Sequence, residues 1–171
     1  MFKLRFTTRT LTTLALLTAM EIVLSRFLSL NTWNMKIGFN FIPVVIAAIL
    51  YGPIGAGITG ALGDFIGALL FPIGAYFPGF TLTAFLTGCV YGLFLYQKQG
   101  WLQVTASVLI NQLILSLLLN TLWISVLYGS PYGPLLATRL IQCGVQIAVQ
   151  LVLIPIIARV LTRYGKKVFS R

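Results

Sequence analysis

Apolar residues run along this chain in six blocks, at about 8–29, 38–51, 54–71, 79–97, 102–128 and 135–162, and the polar residues gather between them. A helix that crosses a bilayer core needs about 20 apolar residues, so the blocks predict six membrane-spanning helices, of which the second and third are short for full spans. The punctuation is specific: "YGP" at 51–53, "FPIGAYFPG" at 71–79, "YQKQG" at 96–100 and "YGSPYGP" at 128–134 combine Gly, Pro and polar residues with aromatics suited to a membrane interface. No long soluble segment fits between them. The expected fold is an all-α integral membrane protein, with residues 1–171 forming one transmembrane domain.

Composition agrees with the pattern. Of the 171 residues 58% are hydrophobic and 8% charged, with a mean hydropathy of +0.98, far from the roughly 25% charged residues of soluble domains. The start, "MFKLRFTTRTLTTLALLTAM", has the basic and then apolar order of a secretory leader. It lacks a small-x-small cleavage site, and its apolar character continues past Glu21 to Leu30, so it reads as the first span.

Six spans put both ends on one side. Lys3, Arg5, Arg9, Lys98, Arg159, Arg163, Lys166, Lys167 and Arg171, nine of the 12 cations, fall on that side, which the positive-inside rule makes cytoplasmic. The net charge of +10 is thereby explained by topology, with no basic patch of the kind that binds nucleic acid. Arg26, Lys36 and Arg139 remain at the outer face.

Candidate chemistry is sparse. There is no histidine, and the two cysteines, Cys89 and Cys143, sit inside apolar blocks, so neither a metal site nor acid-base or nucleophilic catalysis has a set of residues to use; no cofactor is expected. The only acids, Glu21 and Asp64, fall within spans, where an ionisable group is costly unless it is paired or faces a wet cavity. Asp64 sits among Gly60, Gly63 and Gly67, a small-residue stripe that allows close helix packing, and is the stronger site candidate; Glu21 reads rather as a structural group. In the last span Arg139, Gln142, Gln146 and Gln150 recur on one helical face. Arg139 and Gln142, near the outer end, are site candidates, and the deeper glutamines read as helix-to-helix hydrogen bonds. In the fifth span Asn120 lies within reach of the outer face, while Asn111 and Gln112 lie nearer the cytoplasm. Trp33 and Phe80 stand either as interface anchors or as ligand contacts; Trp123 and Tyr128 read as interface anchors. Cations, an acid, amides and rings together suit a flat heteroaromatic ligand with an anionic tail.

Residues 26–92, "RFLSLNTWNMKIGFNFIPVVIAAILYGPIGAGITGALGDFIGALLFPIGAYFPGFTLTAFLTGCVYG", closely resemble the folate-specific substrate-binding subunits (S components) of energy-coupling factor (ECF) vitamin transporters. The strings "K-I-x-F-x-F-I-P" and "F-P-x-G-x-Y-F-P-G-F-T" carry the resemblance. It implies a protein of the bacterial cell membrane that binds folate outside, then joins a transmembrane coupling subunit and two cytoplasmic ATPases whose ATP hydrolysis reorients it. The chain has no G-x-x-x-x-G-K-[ST] phosphate loop, so ATP chemistry belongs to those partners. The resemblance also implies a docking motif, A-x-x-x-A, here Ala15 and Ala19. Folate would place the donor pair of its pterin on Asp64, its carboxylates on Lys36 or Arg139, and its ring against Arg26 or an aromatic face. The alternatives are another vitamin such as riboflavin or thiamine, which lack a pair of tail carboxylates, or a small channel or scaffold.

Overall fold

The computed structural model describes residues 7–31 and 36–165. They form five long helical rods and one short hairpin. Helix α1 (Thr8–Arg26) is capped by the Thr7 side chain, which accepts from the Thr10 N–H, the usual device for satisfying a free donor at a helix start. Strands β1 (Ser29–Asn31) and β2 (Lys36–Gly38) pair antiparallel, with Ser29 opposite Gly38. Then come α2 (Phe41–Leu70) and α3 (Pro78–Leu95). The next rod is α4 (Trp101–Leu109), a π-helical stretch Ile110–Leu119 and α5 (Asn120–Tyr128) in unbroken succession. Helix α6 (Tyr132–Val160) closes the bundle and passes into a π turn, Leu161–Gly165.

Four rods are long and apolar enough to cross a membrane: Phe41–Leu70, Pro78–Leu95, Trp101–Tyr128 and Tyr132–Arg163. The six separate helices expected from the sequence are therefore five rods among the described residues, because the blocks at 38–51 and 54–71 share α2. That helix is interrupted at Gly52, with φ 75° and ψ −164°, a backbone conformation open to glycine. Pro53 follows, with the fixed φ and missing N–H that suit the start of a new helical limb. The interruption reverses the chain. Val44 and Gly60 lie eight residues to either side of Gly52 and would be about 24 Å apart in a straight helix; yet Val44 Cγ2 is 3.8 Å from where a Cβ on Gly60 would stand. The first limb, 41–51, is only about 16 Å long, half of a ~30 Å hydrocarbon core.

The apolar core gathers round this short limb. Val45, Ala47, Ala48, Ala56, Leu95, Val104, Val108 and Ile154 are fully buried, so all the long rods except α1 contribute side chains with no solvent contact. Glycines bring α2 and α3 together: a Cβ on Gly88 would overlap the Ala56 carbonyl, and one on Gly92 would overlap Pro53. Forcing an extra methyl between packed backbones costs about 1–3 kcal/mol. Gly88→Ala is accordingly expected to lower the thermal midpoint of the purified protein by about 5 °C, read by circular dichroism in detergent. An unchanged midpoint would mean that the two helices stand further apart than described.

Candidate functional site

The half-length first limb of α2 leaves room above it, and that room is a cavity of about 370 Å³, within the range of small-molecule sites. Asn40, Phe41 and Val44 at the start of α2 line it, as do residues of α1, α3, the π-helical stretch, α5 and α6. Phe41, Val44 and Tyr91 belong to both the core and the cavity wall, so the cavity rests directly on the packed interior.

Six of the eight residues expected to meet a ligand line this one space: Arg26, Asp64, Phe80, Asn120, Arg139 and Gln142. Trp33 and the side chain of Lys36 lie outside the described residues, as do Lys3, Arg5, Lys166, Lys167 and Arg171 of the charge argument. Asp64 is half-buried; its Oδ2 accepts the Thr81 hydroxyl at 3.0 Å, and that hydroxyl lies 3.2 Å from the Tyr76 hydroxyl. Arg26 at the end of α1 packs on Gly67, where a Cβ would crowd its guanidinium, and its Nη2 donates to the Asp64 backbone carbonyl at 3.4 Å. The glycine stripe thus has two uses. Gly60 meets the Ala84 carbonyl of α3, whereas Gly63 and Gly67 seat the Glu21 carboxylate and the Arg26 guanidinium of α1. Arg139 is 4% exposed; its Nη2 donates to the Ser116 carbonyl at 3.2 Å, while its Nε is buried without a hydrogen-bond partner.

Rings frame the other side. Phe77 packs on Phe80 and on Trp123, with centroids 6.2 and 5.5 Å apart, and the Trp123 indole donates to Thr83 at 3.0 Å. Residues 73–76, between α2 and α3, and Tyr128 at the end of α5 also line the cavity. Tyr128, expected at the interface, is 46% exposed and lines the cavity as well, and Trp123 is half-buried with its indole on Thr83.

The cavity reaches deeper than the residues singled out by the sequence. Asn111, Gln112, Gln146, Gln150 and Glu21 all line the cavity and are buried. Tyr91, fully buried, donates to Gln150 Oε1 at 2.9 Å. The reason lies in two backbone features. The short α2 limb lets the cavity reach deep into the bundle, and the i→i+5 bonding of a π-helix brings residues five apart nearer to one face. Asn111 and Ser116 are so spaced, and both line the cavity. Cys143 packs behind this wall, its thiol 3.5 Å from the Gln112 carbonyl.

A cavity lined by two carboxylates, Glu21 and Asp64, two guanidiniums, Arg26 and Arg139, several amides and aromatic rings can hold a planar polar molecule and an anionic group together. The protein-family model "ECF transporter, substrate-specific component" matches residues 9–158. The folate transporter FolT of Clostridium novyi (strain NT) is 40% identical over 142 residues, covering 82% of this chain and 83% of the relative. FolT of Leuconostoc mesenteroides is 31% identical over 174 residues, covering 95% and 92%. A crystal structure of FolT bound with folic acid superposes with a TM-score of 0.82 at 36% identity, covering 86% of this chain and 91% of that one. With these matches spanning most of its length, the chain belongs to the family of ECF transporter substrate-specific components, multi-pass proteins of the membrane.

Proposed function

We propose that the protein is the folate-binding subunit of an ECF transporter, capturing folate outside the cell and delivering it inside. The observation that carries this reading is the convergence of Arg26, Asp64, Phe80, Asn120, Arg139 and Gln142 on one cavity. Folate pairs a donor-bearing pterin with two tail carboxylates, and this cavity pairs acceptors with cations. Trp33 and Lys36 complete the proposed contacts. Titrating folate into the detergent-solubilised chain without ATP is expected to give a saturable one-to-one calorimetric signal that riboflavin and thiamine do not give. Heat from either of those and none from folate would replace the ligand.

The topology follows the charge. The count becomes six, with both termini cytoplasmic and residues 1–171 a single transmembrane domain, when α1 is taken as a crossing beside the four long rods and the chain reverses at Gly52, the half-length first limb of α2 being completed by the hairpin before it, whose Gly38 carbonyl accepts from buried Gln146. The cavity mouth then faces outward. Energy comes from a transmembrane coupling subunit and two ATPases, which drive reorientation of this chain, itself a binding subunit and not an enzyme.

The docking surface is α1. Ala15 and Ala19 are exposed on it, next to the exposed Leu11, Leu16, Met20 and Val23, and small residues allow close helix approach. Ala15→Trp with Ala19→Trp is expected to leave folate binding by the isolated chain within about twofold of the parent, since neither residue lines the cavity. Uptake through the assembled transporter should be lost. Normal uptake would put the docking surface elsewhere.

A further inference from the structure

Four buried amides line the cavity without a role in the proposed contacts above, Asn111, Gln112, Gln146 and Gln150, and two of them keep an oxygen unpartnered. Asn111 is 2% and Gln146 6% exposed, and both line the cavity. Each has its nitrogen on a backbone carbonyl: Asn111 Nδ2 donates to Thr87 at 3.4 Å, and Gln146 Nε2 donates to Gly38 at 2.8 Å. A carbonyl only accepts, so these partners fix which end of each amide is nitrogen. The remaining ends, Asn111 Oδ1 and Gln146 Oε1, are buried without a hydrogen-bond partner. Tyr91 lines the same cavity, but its one hydroxyl hydrogen goes to Gln150.

Two neutral acceptors locked in orientation are different from a carboxylate. They carry no charge to attract a cation and no hydrogen to offer a lone pair; what they pair with is an N–H or O–H. A ligand seated against them without such a donor leaves them unsatisfied, and that is the condition under which a site rejects an isostere most strongly.

We propose that Asn111 and Gln146 are specificity-determining residues whose fixed oxygens accept N–H groups from the ring end of the ligand, selecting a heteroaromatic ring that carries donors over an isostere that carries a methyl group there. The inference rests on the folate reading above. A pterin presents three such hydrogens, one on its ring amide and two on the adjacent amino group, so the Asp64 carboxylate can take the ring-amide hydrogen while the two amide oxygens take one amino hydrogen each. The spacing along α6 fits the same placement. Arg139 is seven residues from Gln146, about 10 Å along the helix, which sets a cation towards the tail while the amides meet the ring.

The test compares folate with its analogue in which the 2-amino group is replaced by methyl, on the full-length purified chain and on Gln146→Met and Asn111→Leu. The parent is expected to favour folate by about 100-fold, and each variant to narrow that ratio to under about 10-fold while binding the methyl analogue almost as the parent does. A purely structural role would weaken both ligands alike, and an unchanged ratio in both variants overturns the assignment. Should Gln146→Met fail to fold, Asn111→Leu leaves the Gly38 contact intact and carries the same comparison. A parent chain that binds neither compound overturns the folate reading itself, and this inference with it. Binding of both with ratios insensitive to the two amides overturns the inference alone.

Discussion

Asp64→Asn is expected to lower folate affinity about 100-fold, or about 2.7 kcal/mol, while moving the thermal midpoint by no more than a degree or two. The substitution keeps the shape of the side chain and one oxygen, which is enough to go on accepting the Thr81 hydroxyl that now bonds Oδ2 at 3.0 Å. Arg26 is not stranded either, because it donates to the backbone carbonyl of Asp64, which the substitution leaves in place. What changes is the face offered to the ligand: a charged acceptor becomes a neutral amide with an N–H where a lone pair stood. Hydrogen bonds to a charged partner contribute about 1.5–3 kcal/mol, and donor facing donor adds a penalty. Calorimetry on the purified variant, with thermal unfolding as the control, reads both quantities. Undiminished affinity would take Asp64 out of the site.

Much of this was legible because the membrane restricts the options. With no water in the bilayer core, a long apolar block has to be a helix, and the Gly, Pro and Tyr clusters mark where helices stop: α3 ends at Leu95 just before "YQKQG", and α5 at Tyr128 before Gly129. Asp64 and Arg139 were visible for the same reason, since an isolated charge in an apolar block needs a partner or a cavity. Depth was not legible. Asn111 and Gln112 read as residues nearer the cytoplasm, but a π-helical stretch has no signature in "INQLILSLLL", and nothing in Phe41 to Tyr51 declares that a limb so short would leave a hole above it. The deep glutamines combine two roles. Gln150 does make the interhelical bond expected of it, to Tyr91, yet it lines the cavity as well, and a sequence cannot separate two roles held by one side chain.

Arg139→Met is expected to lower folate affinity by about 100-fold as well, but only for ligands whose tail carboxylates are charged. Arg139 is anchored by one nitrogen to the Ser116 carbonyl, and its Nε is buried with no hydrogen-bond partner, a guanidinium with donor capacity left over at the cavity wall. Methionine fills similar volume without charge. Removing a buried cation relieves its desolvation cost, so the variant should be at least as stable to heat as the parent, and a loss of binding cannot be blamed on unfolding. The deciding comparison is folate against its diamide, in which both tail carboxylates are neutral. If Arg139 meets the tail, the diamide should bind parent and variant within about threefold of each other, while folate separates them. Equal losses for both ligands would move Arg139 from the tail to the ring, and the tail carboxylates would then fall to Lys36, whose replacement by Met should reproduce the selective loss.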